Sequence, residues 1–243
     1  MIRIAGDLHV HTVASGHAYS TVLEIVHTAR RKGLSVVGVA DHGPSMPGGP
    51  SLVYFEACGH FPRQVAGVTL YFGAEVDILD EKGTLDLPDW VLKKMDYTIV
   101  SFHPHVRPPG DRETNTQSLL KVLMNPLVNI IAHAGNPKYP FDYERVIDRA
   151  VEAGKVFEIN NSSFSVSRKG SWENCRLIAQ EVMKRGGSVL VSSDAHFCEE
   201  IGEYHDALAL LEDIGFPEER ILNMREESLK VFVEQHTGRR RRA

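Results

Sequence analysis

The regular alternation of short apolar runs with longer amphipathic segments constrains the fold of this chain more than any other feature. Seven apolar runs have the length and the branched residues of buried strands, and several segments between them have a helical period. The seven predicted strands cover residues 2–11, 34–40, 69–74, 97–102, 127–132, 156–159 and 188–193. Strands that alternate with helices need crossover connections, which predict a parallel sheet and the α/β fold class.

Predicted helices occupy much of the remaining chain. The clearest covers residues 21–32, where Thr21 and Glu24 have the spacing of a capping box and Gly33 follows as a stop signal. The other predicted helices cover residues near 54–65 and residues 143–153, 173–185, 203–214 and 226–235. Residues 44–50 are rich in Pro and Gly and predict a loop, and residues 80–83 predict a turn.

The length of 243 residues suits a single barrel domain, for which roughly 200–250 residues are common. The composition does not change along the chain in a way that would mark a linker. We therefore predict one domain over residues 1–236, followed by a tail over residues 237–243. The tail holds four consecutive arginines at 239–242 and is predicted to be solvated.

Charge and cysteine content exclude several classes of protein. The chain has 27 Lys and Arg against 32 Asp and Glu, so its formal charge of −5 offers no general attraction for nucleic acid. No apolar run approaches the roughly 20 residues that a membrane span needs. The three cysteines, Cys58, Cys175 and Cys198, cannot all pair within one chain, which predicts reduced thiols and a cytoplasmic location.

Six of the seven predicted strands end at a histidine or a carboxylate, and the remaining one ends at Asn160 and Asn161. In a closed barrel the carboxyl ends of all strands open onto one face, where active sites lie. This distribution therefore favours a barrel over an open sheet. The side chains expected to converge on that face are His9, His11, His42, Glu75, His103, His133, Asp194 and His196, with His17 reaching it from a loop.

These nine side chains predict a metal centre. Seven imidazoles and two carboxylates in one basin would repel one another or stay unpaired unless two or three cations occupied it, and both groups are ligands of Zn, Mn and Fe. His9 and His11 project to the same side of a strand, and Asp7 on that side is expected to accept a hydrogen bond from a ligand imidazole. A structural zinc site is disfavoured, because such sites are rich in Cys and no Cys lies at a strand end.

Longer motifs around these residues resemble the PHP (polymerase and histidinol phosphatase) superfamily, and more narrowly its stand-alone YcdX-type phosphatases. The motifs are DLHVHT at 7–12, DHGP at 41–44, GNPKY at 135–139, NNSSF at 160–164, SRKGS at 167–171 and FPEERILN at 216–223. The resemblance covers essentially the whole chain and implies a distorted seven-stranded (β/α) barrel with its active site at the C-terminal ends of the strands. Ala40, where Thr is common, and Ala134, where Pro is common, depart from the family pattern without removing a ligand.

The resemblance also implies how the ligands are shared among three divalent ions. The first ion would be held by His9, His11, Glu75 and Asp194. Glu75 would bridge to a second ion, which is completed by His103 and His133, and the third ion would be held by His17, His42 and His196. Nitrogen-rich ligation disfavours Mg and makes Zn the first expectation, with Mn or Fe as alternatives. The same resemblance implies a homotrimer.

The predicted reaction is hydrolysis of a phosphate monoester of a small metabolite. A hydroxide that bridges two ions and is held in place by Glu75 and Asp194 would attack phosphorus in line, while the third ion offsets the charge of the transition state. This route needs no covalent phosphoenzyme. Arg168 and Lys169, just beyond the sixth strand, are the predicted phosphate-binding side chains.

Other functions remain open at the level of the sequence. The same metal site could serve phosphodiesters, nucleotides or histidinol phosphate. An amidohydrolase acting on C–N bonds is disfavoured, because those barrels usually have eight strands and often a carbamylated Lys ligand, and no predicted strand ends in Lys. A nuclease is disfavoured by the absence of a basic stripe with stacking aromatics. A non-catalytic PHP interaction module is the remaining alternative, although such modules often lose ligands and this chain has the full set.

Overall fold

In the computed structural model, which describes residues 4–165 and 168–237, seven parallel strands curve into a nearly closed barrel. The strands of the described residues are β1 (Gly6–Val10), β2 (Val36–Val39), β3 (Gln64–Val65), β4 (Val68–Asp77), β5 (Tyr97–Ser101), β6 (Ile130–Ile131), β7 (Val156–Asn160) and β8 (Val189–Ser192), of which β3 is one short antiparallel strand. The barrel order is β1-β2-β4-β5-β6-β7-β8 with parallel neighbours, while β3 adds to β4 in the antiparallel direction. The predicted seven-stranded α/β barrel is confirmed.

Helices follow most of the barrel strands, and most of them cover the outside of the barrel. They are α1 (Val22–Arg31), α2 (Leu52–Ala57), α3 (Asp89–Leu92), α4 (Arg112–Val122), α5 (Tyr143–Glu152), α6 (Ser171–Lys184), α7 (His205–Asp213) and α8 (Glu226–Thr237). The capping box of α1 is present, with the Thr21 N–H donating to Glu24 Oε2 over 2.7 Å. Within the described residues, no helix has the length and apolar character needed to cross a membrane.

The C-terminal helix extends one residue beyond the predicted domain boundary. Helix α8 ends at Thr237, so it includes the first residue of the segment predicted as a tail. Residues 238–243, with the arginines at 239–242, lie outside the described residues. The cysteines agree with the expectation of thiols, because Cys58, Cys175 and Cys198 are all free.

Both faces of the barrel strands are buried, the outer face against the helices and the inner face inside the barrel. The inner face carries the polar residues of the C-terminal end. The outer face packs against the helices, as Val37 and Val39 of β2 do in the larger apolar cluster. The inner face forms a smaller cluster that Leu229 and its neighbours on α8 close at the N-terminal end of the barrel. Along β7 the inward residues are Val156, Glu158 and Asn160, since side chains alternate along a strand. The interior therefore changes from apolar to polar toward the C-terminal ends of the strands.

The seam between β1 and β8 is closed by isolated contacts and not by a continuous ladder. One parallel bridge joins Val10 to Ala195, and the His11 N–H donates to the Ala195 carbonyl over 2.9 Å. Nearer the middle of the barrel, the Asp7 carboxylate on β1 accepts a hydrogen bond from Ser193 Oγ over 2.5 Å. Side chains thus supply much of the connection between the first and last strands.

Asn223 also connects β1 to β8 across this seam, and its hydrogen bonds lead to a prediction about stability. Its buried Nδ2 donates to the carbonyls of Gly6 (2.9 Å) and Val191 (2.6 Å), and its Oδ1 accepts from the Val191 N–H (3.1 Å). The substitution Asn223→Ala leaves these three backbone groups without their partner, at about 1 kcal/mol each. We expect the free energy of unfolding in urea to fall by about 3 kcal/mol.

Asn174→Ala is a suitable control for that measurement, because Asn174 donates one hydrogen bond, to the Gly135 carbonyl, in a half-buried position. Its expected loss is about 1 kcal/mol or less. Equal losses in the two variants would contradict the role given to Asn223 at the seam.

The prediction of a single helix near residues 54–65 is wrong. Helix α2 ends at Ala57, one 3₁₀ turn follows at Cys58–His60, and Gln64–Val65 forms β3. The cause is Pro62, because the residue before a proline is driven out of the helical region. Phe61 accordingly has extended dihedral angles, with φ −76° and ψ 145°.

Two further elements differ from the sequence prediction. Helix α4 was not among the predicted helices, because Asn115, Thr116 and Ser118 are buried on it and obscure its apolar period. Strand β4 continues to Asp77, pairing with β5 along this extension, so Glu75 lies inside the strand and not at its end.

Candidate active site

The nine side chains predicted as metal ligands come together at the C-terminal end of the barrel. Glu75 lies in their midst, fully buried, with both carboxylate oxygens facing imidazole nitrogens. Its Oε2 is 2.8 Å from His42 Nδ1, 3.3 Å from His9 Nε2 and 3.4 Å from His11 Nε2, and its Oε1 is 2.8 Å from His133 Nε2 and 3.5 Å from His103 Nε2. One carboxylate from β4 therefore contacts rings carried by four other segments of the barrel.

Asp194 and His196 complete the cluster from the far side of the seam. Asp194 Oδ1 is 3.1 Å from His11 Nε2, which links the end of β8 to the end of β1. Beyond Asp194, the Nε2 atoms of His196 and His17 lie 3.1 Å apart. Two imidazole nitrogens at this distance suit either a shared proton or a common cation.

Two of these positions have an unusual backbone. His133 and Asp194 adopt positive φ angles of 30° and 57°, in the left-handed region that non-glycine residues rarely occupy. Such conformations cost about 1–3 kcal/mol each and concentrate at functional sites. A hydrogen bond supports the conformation of His133, whose N–H donates to Glu158 Oε2 over 2.8 Å.

Unpaired buried atoms show that the cluster suits cations. His9 Nε2, His42 Nδ1 and Glu75 Oε2 are buried without a hydrogen-bond partner. His42 Nδ1 and Glu75 Oε2 are close, but their alignment is not that of a hydrogen bond. Nitrogen donors with carboxylates are the ligand types of Zn, Mn and Fe, so the residues fit divalent ions of this kind.

Ligand atoms lie within 4.8 Å of one another in three groups among the described residues. The groups are His9, His11 and Glu75; His42, Glu75 and His103; and His11, His42 and His196. The first belongs to one of the ligand sets that the resemblance implies. The other two mix members of different sets, because His42 lies between Glu75 and His11.

The electrostatics of the cluster are dominated by burial and by mutual contact. Burial alone would raise the pKa of Glu75, but the positive charges on His9 and His42 outweigh it and hold that pKa well below its usual range. Burial lowers the pKa of His103 and of His133 to about 4. The site therefore combines an ionised carboxylate with two rings, His103 and His133, held neutral, which is the state in which imidazole binds a metal. For His9 and His42 the facing carboxylates outweigh burial and raise the pKa of the ring.

Acceptors below the cluster orient the imidazole rings. His9 Nδ1 is 2.6 Å from Glu158 Oε1, and His103 Nδ1 is 3.0 Å from Asp77 Oδ1. His11 Nδ1 is 3.1 Å from Ser15 Oγ, which in turn donates to the carboxylate of Asp41. In each case Nδ1 is engaged, which leaves Nε2 to face the centre of the cluster.

The expectation that Asp7 accepts a hydrogen bond from a ligand imidazole is wrong. Its carboxylate accepts from the His9 main-chain N–H (3.2 Å) and from Ser193, not from an imidazole. Glu158 and Asp77, which do contact rings, were missed from the sequence. A signal was available for both, because each is an acidic residue at an inward position of a strand, at alternate spacing with other inward residues.

A cavity of about 580 Å³ opens from the cluster to solvent. Its lining includes His17, His42, Met46, Pro47, His103, His105, Ser162, Arg168, Asp194, His196 and Glu200. Arg168 enters it with a side chain that is 14% exposed; Nη2 donates to Asp194 Oδ2 over 2.8 Å, and Nη1 is buried without a partner. Lys169, the other residue predicted to bind phosphate, is exposed and does not line this cavity.

Comparison with known proteins identifies the family to which the chain belongs. The model of the PHP domain matches residues 7–209, and the chain belongs to the PHP domain family. A probable phosphatase of Caldanaerobacter subterraneus subsp. tengcongensis is 46% identical over 239 residues, which cover 98% of this chain and 94% of that relative. Within its family, the chain is a phosphatase-type hydrolase.

Solved structures share the fold at much lower identity. Histidinol phosphate phosphatase (HisK) from Lactococcus lactis subsp. lactis, determined with zinc, L-histidinol and phosphate, has a TM-score of 0.61 at 14% identity and covers 88% of this chain and 94% of its own. A chain in the structure of archaeal ribonuclease P with mature tRNA has a TM-score of 0.60 at 15% identity, covering 97% and 93% respectively. At these identities the likeness concerns the fold alone.

Proposed function

We propose that this chain hydrolyses phosphate monoesters of small metabolites with the aid of three divalent ions. The observation that carries the proposal is the position of Glu75, whose buried carboxylate lies within 3.5 Å of five imidazoles and keeps Oε2 without a hydrogen-bond partner. A carboxylate in this position is suited to bridge cations. Kinship with a protein named a probable phosphatase supports phosphate esters as the substrate class.

The proposed ligand sets are those that the family resemblance implies. His9, His11, Glu75 and Asp194 would hold one ion; Glu75, His103 and His133 the second; and His17, His42 and His196 the third. Zinc is the preferred ion, with manganese or iron as alternatives. Bound there, the ions would supply Lewis-acid chemistry, lowering the pKa of water at the site and compensating the negative charge of the phosphate.

The chain's own residues bind and orient the substrate. Glu75 and Asp194 hold the ligand cluster together from opposite sides of the barrel. Arg168 is anchored to Asp194 through Nη2 and keeps Nη1 for a phosphate oxygen, since a guanidinium can make two parallel hydrogen bonds. Ser162 and His105 also line the cavity, and we propose that they contact the leaving group.

The remaining parts of the proposal concern the binding partners, the cellular location, the extent of the domain and the oligomeric state. A cavity of about 580 Å³ accommodates a small phosphorylated molecule, so we propose no nucleic-acid partner. The free cysteines accord with the proposed cytoplasmic location. We further propose one domain over residues 1–236 and, by family resemblance, a homotrimer.

The test is hydrolysis of p-nitrophenyl phosphate before and after exhaustive chelation, with elemental analysis of the same protein samples. We expect turnover to fall to background on chelation and to return on addition of Zn²⁺, Mn²⁺ or Fe²⁺. Bis(p-nitrophenyl) phosphate serves as the diester comparison and is expected to react more slowly. Full turnover in protein shown to be free of metal would refute the proposal.

A further inference from the structure

Glu158 lies directly below the metal-ligand cluster, on the inward face of β7, and is 2% exposed. Its Oε1 is 2.6 Å from His9 Nδ1 and accepts from Ser192 Oγ over 2.5 Å. Its Oε2 accepts from the His133 N–H over 2.8 Å and from Asn160 Nδ2 over 3.0 Å. Four donors from four different strand segments therefore converge on one buried carboxylate, and each oxygen has two of them.

This arrangement determines which nitrogen of His9 faces the cluster. An ionised carboxylate only accepts hydrogen bonds, so His9 Nδ1 carries the hydrogen whether the ring is neutral or charged. The nitrogen that loses its proton is then Nε2, which lies 3.3 Å from Glu75 Oε2 and 3.5 Å from Asp194 Oδ1. Hydrogen bonds of this kind fix the tautomer and the orientation of metal-binding histidines.

The second oxygen of Glu158 acts on the backbone of another proposed ligand. His133 has a φ of 30°, and its N–H donates to Oε2. That hydrogen bond favours the left-handed conformation that directs the ring toward Glu75, 2.8 Å away. One carboxylate thus supports His9 and His133, which the proposed function assigns to two neighbouring ions.

We propose that Glu158 is a positioning residue that presents His9 Nε2 and holds His133 in its left-handed conformation, and so couples the two adjacent ion positions. The proposal rests on the proposed function for the identity of those ions. It concerns a residue that does not reach the ions or the substrate, because the imidazole of His9 lies between Glu158 and Glu75.

Glu158→Gln is the informative variant, because it preserves the size of the side chain and replaces one acceptor oxygen by a donor. The amide can then satisfy either the His9 and Ser192 pair or the His133 and Asn160 pair, not both. We expect zinc affinity, measured by competition with a chelator, to fall about 10–100-fold. In the zinc-loaded protein we expect the downfield ¹H–¹⁵N signal of His9 Nδ1–H to shift or to be lost.

Two control variants distinguish the loss of the contact between Glu158 and the His9 ring from a general loss of protein stability. Asp7→Asn alters another buried carboxylate that accepts from the His9 main-chain N–H and leaves the ring contact in place. Ser192→Ala removes the second donor to Oε1 but keeps the His9 contact. Both are expected to retain the His9 ring signal and to keep their zinc affinity within a few-fold of the parent chain, whatever their loss of stability.

A metal-free measurement tests the contact independently of the proposed function. In protein without metal, we expect Glu158→Gln to lose one of the two contacts, which is seen either as faster exchange of the His133 amide hydrogen or as an altered His9 ring signal, whereas Asp7→Asn resembles the parent chain in both. Glu158→Asp is a second variant if the first is poorly folded, because the shorter side chain keeps its charge but cannot reach both residues. It should likewise lose one of the two contacts, with the same readouts.

The outcomes distinguish the two proposals. Unchanged zinc affinity, ring signal and His133 exchange in Glu158→Gln would overturn the role of Glu158. Altered exchange at His133 together with a parent chain that binds none of Zn²⁺, Mn²⁺ and Fe²⁺ would support the contact and refute the proposed function.

Discussion

Replacing Glu75 by glutamine is expected to lower kcat/KM for p-nitrophenyl phosphate by at least ~10³-fold, or about 4 kcal/mol of transition-state stabilisation. The cause is the loss of the negative charge that faces five imidazoles at the centre of the cluster. Without this negative charge, the neighbouring imidazole rings cannot keep two cations close together, because the cations repel each other. Elemental analysis of Glu75→Gln should therefore show metal loss in parallel with the loss of turnover.

Glu113→Gln is the control variant, because it makes the same chemical change on the surface of the protein. Glu113 lies on the surface of α4, 61% exposed, where it pairs with Arg145. Exposed pairs of this kind contribute roughly 1 kcal/mol or less, and turnover should be unaffected. Parent-like metal content and turnover in Glu75→Gln would show that the centre of the site lies elsewhere.

Arg168→Ala is expected to lower kcat/KM by about 10²-fold, because it removes a guanidinium aimed at the proposed phosphate position. The effect should exceed that of Lys169→Ala, which is expected to stay within a few-fold of the parent chain. The structural basis is that Arg168 lines the cavity and is anchored to Asp194, whereas Lys169 is exposed outside it.

Arg168→Lys should give an intermediate result, because one ammonium cannot bond to Asp194 and to a phosphate in the parallel geometry of a guanidinium. Steady-state kinetics on the three variants, with metal content measured for each, checks this order. A larger loss in Lys169→Ala than in Arg168→Ala would reverse the assignment of the two residues.

The barrel and the convergence of the nine side chains followed from the sequence for a clear physical reason. Strand and helix periods alternate, and parallel strands place all their carboxyl ends on one face. His103 and His133 come directly after predicted strands, so their convergence with Glu75 needed no information about loops. That these residues bind ions stays a prediction.

Other features depend on tertiary packing and could not be obtained in this way. Helix α4 buries Asn115 and Thr116, which reverses the usual relation between polarity and exposure. The partners of Asp7 depend on how β1 meets β8 across the seam, a contact between residues 186 positions apart in the chain. Glu158 was accessible to pattern analysis, but its four partners arise from the curvature of the barrel.

The seam between β1 and β8 has a consequence for how the protein is made. His9 lies on the first strand and His11 directly after it, and Asp194 and His196 follow the last strand, so the proposed centre joins the two ends of the barrel. A nascent chain cannot assemble it until residue 196 has left the ribosome. Ions bound at that moment would stabilise the folded barrel, and the gain in the free energy of unfolding would rise with the free concentration of the ions. Cellular metal supply would then govern how much of the protein survives degradation, in addition to how fast each molecule works.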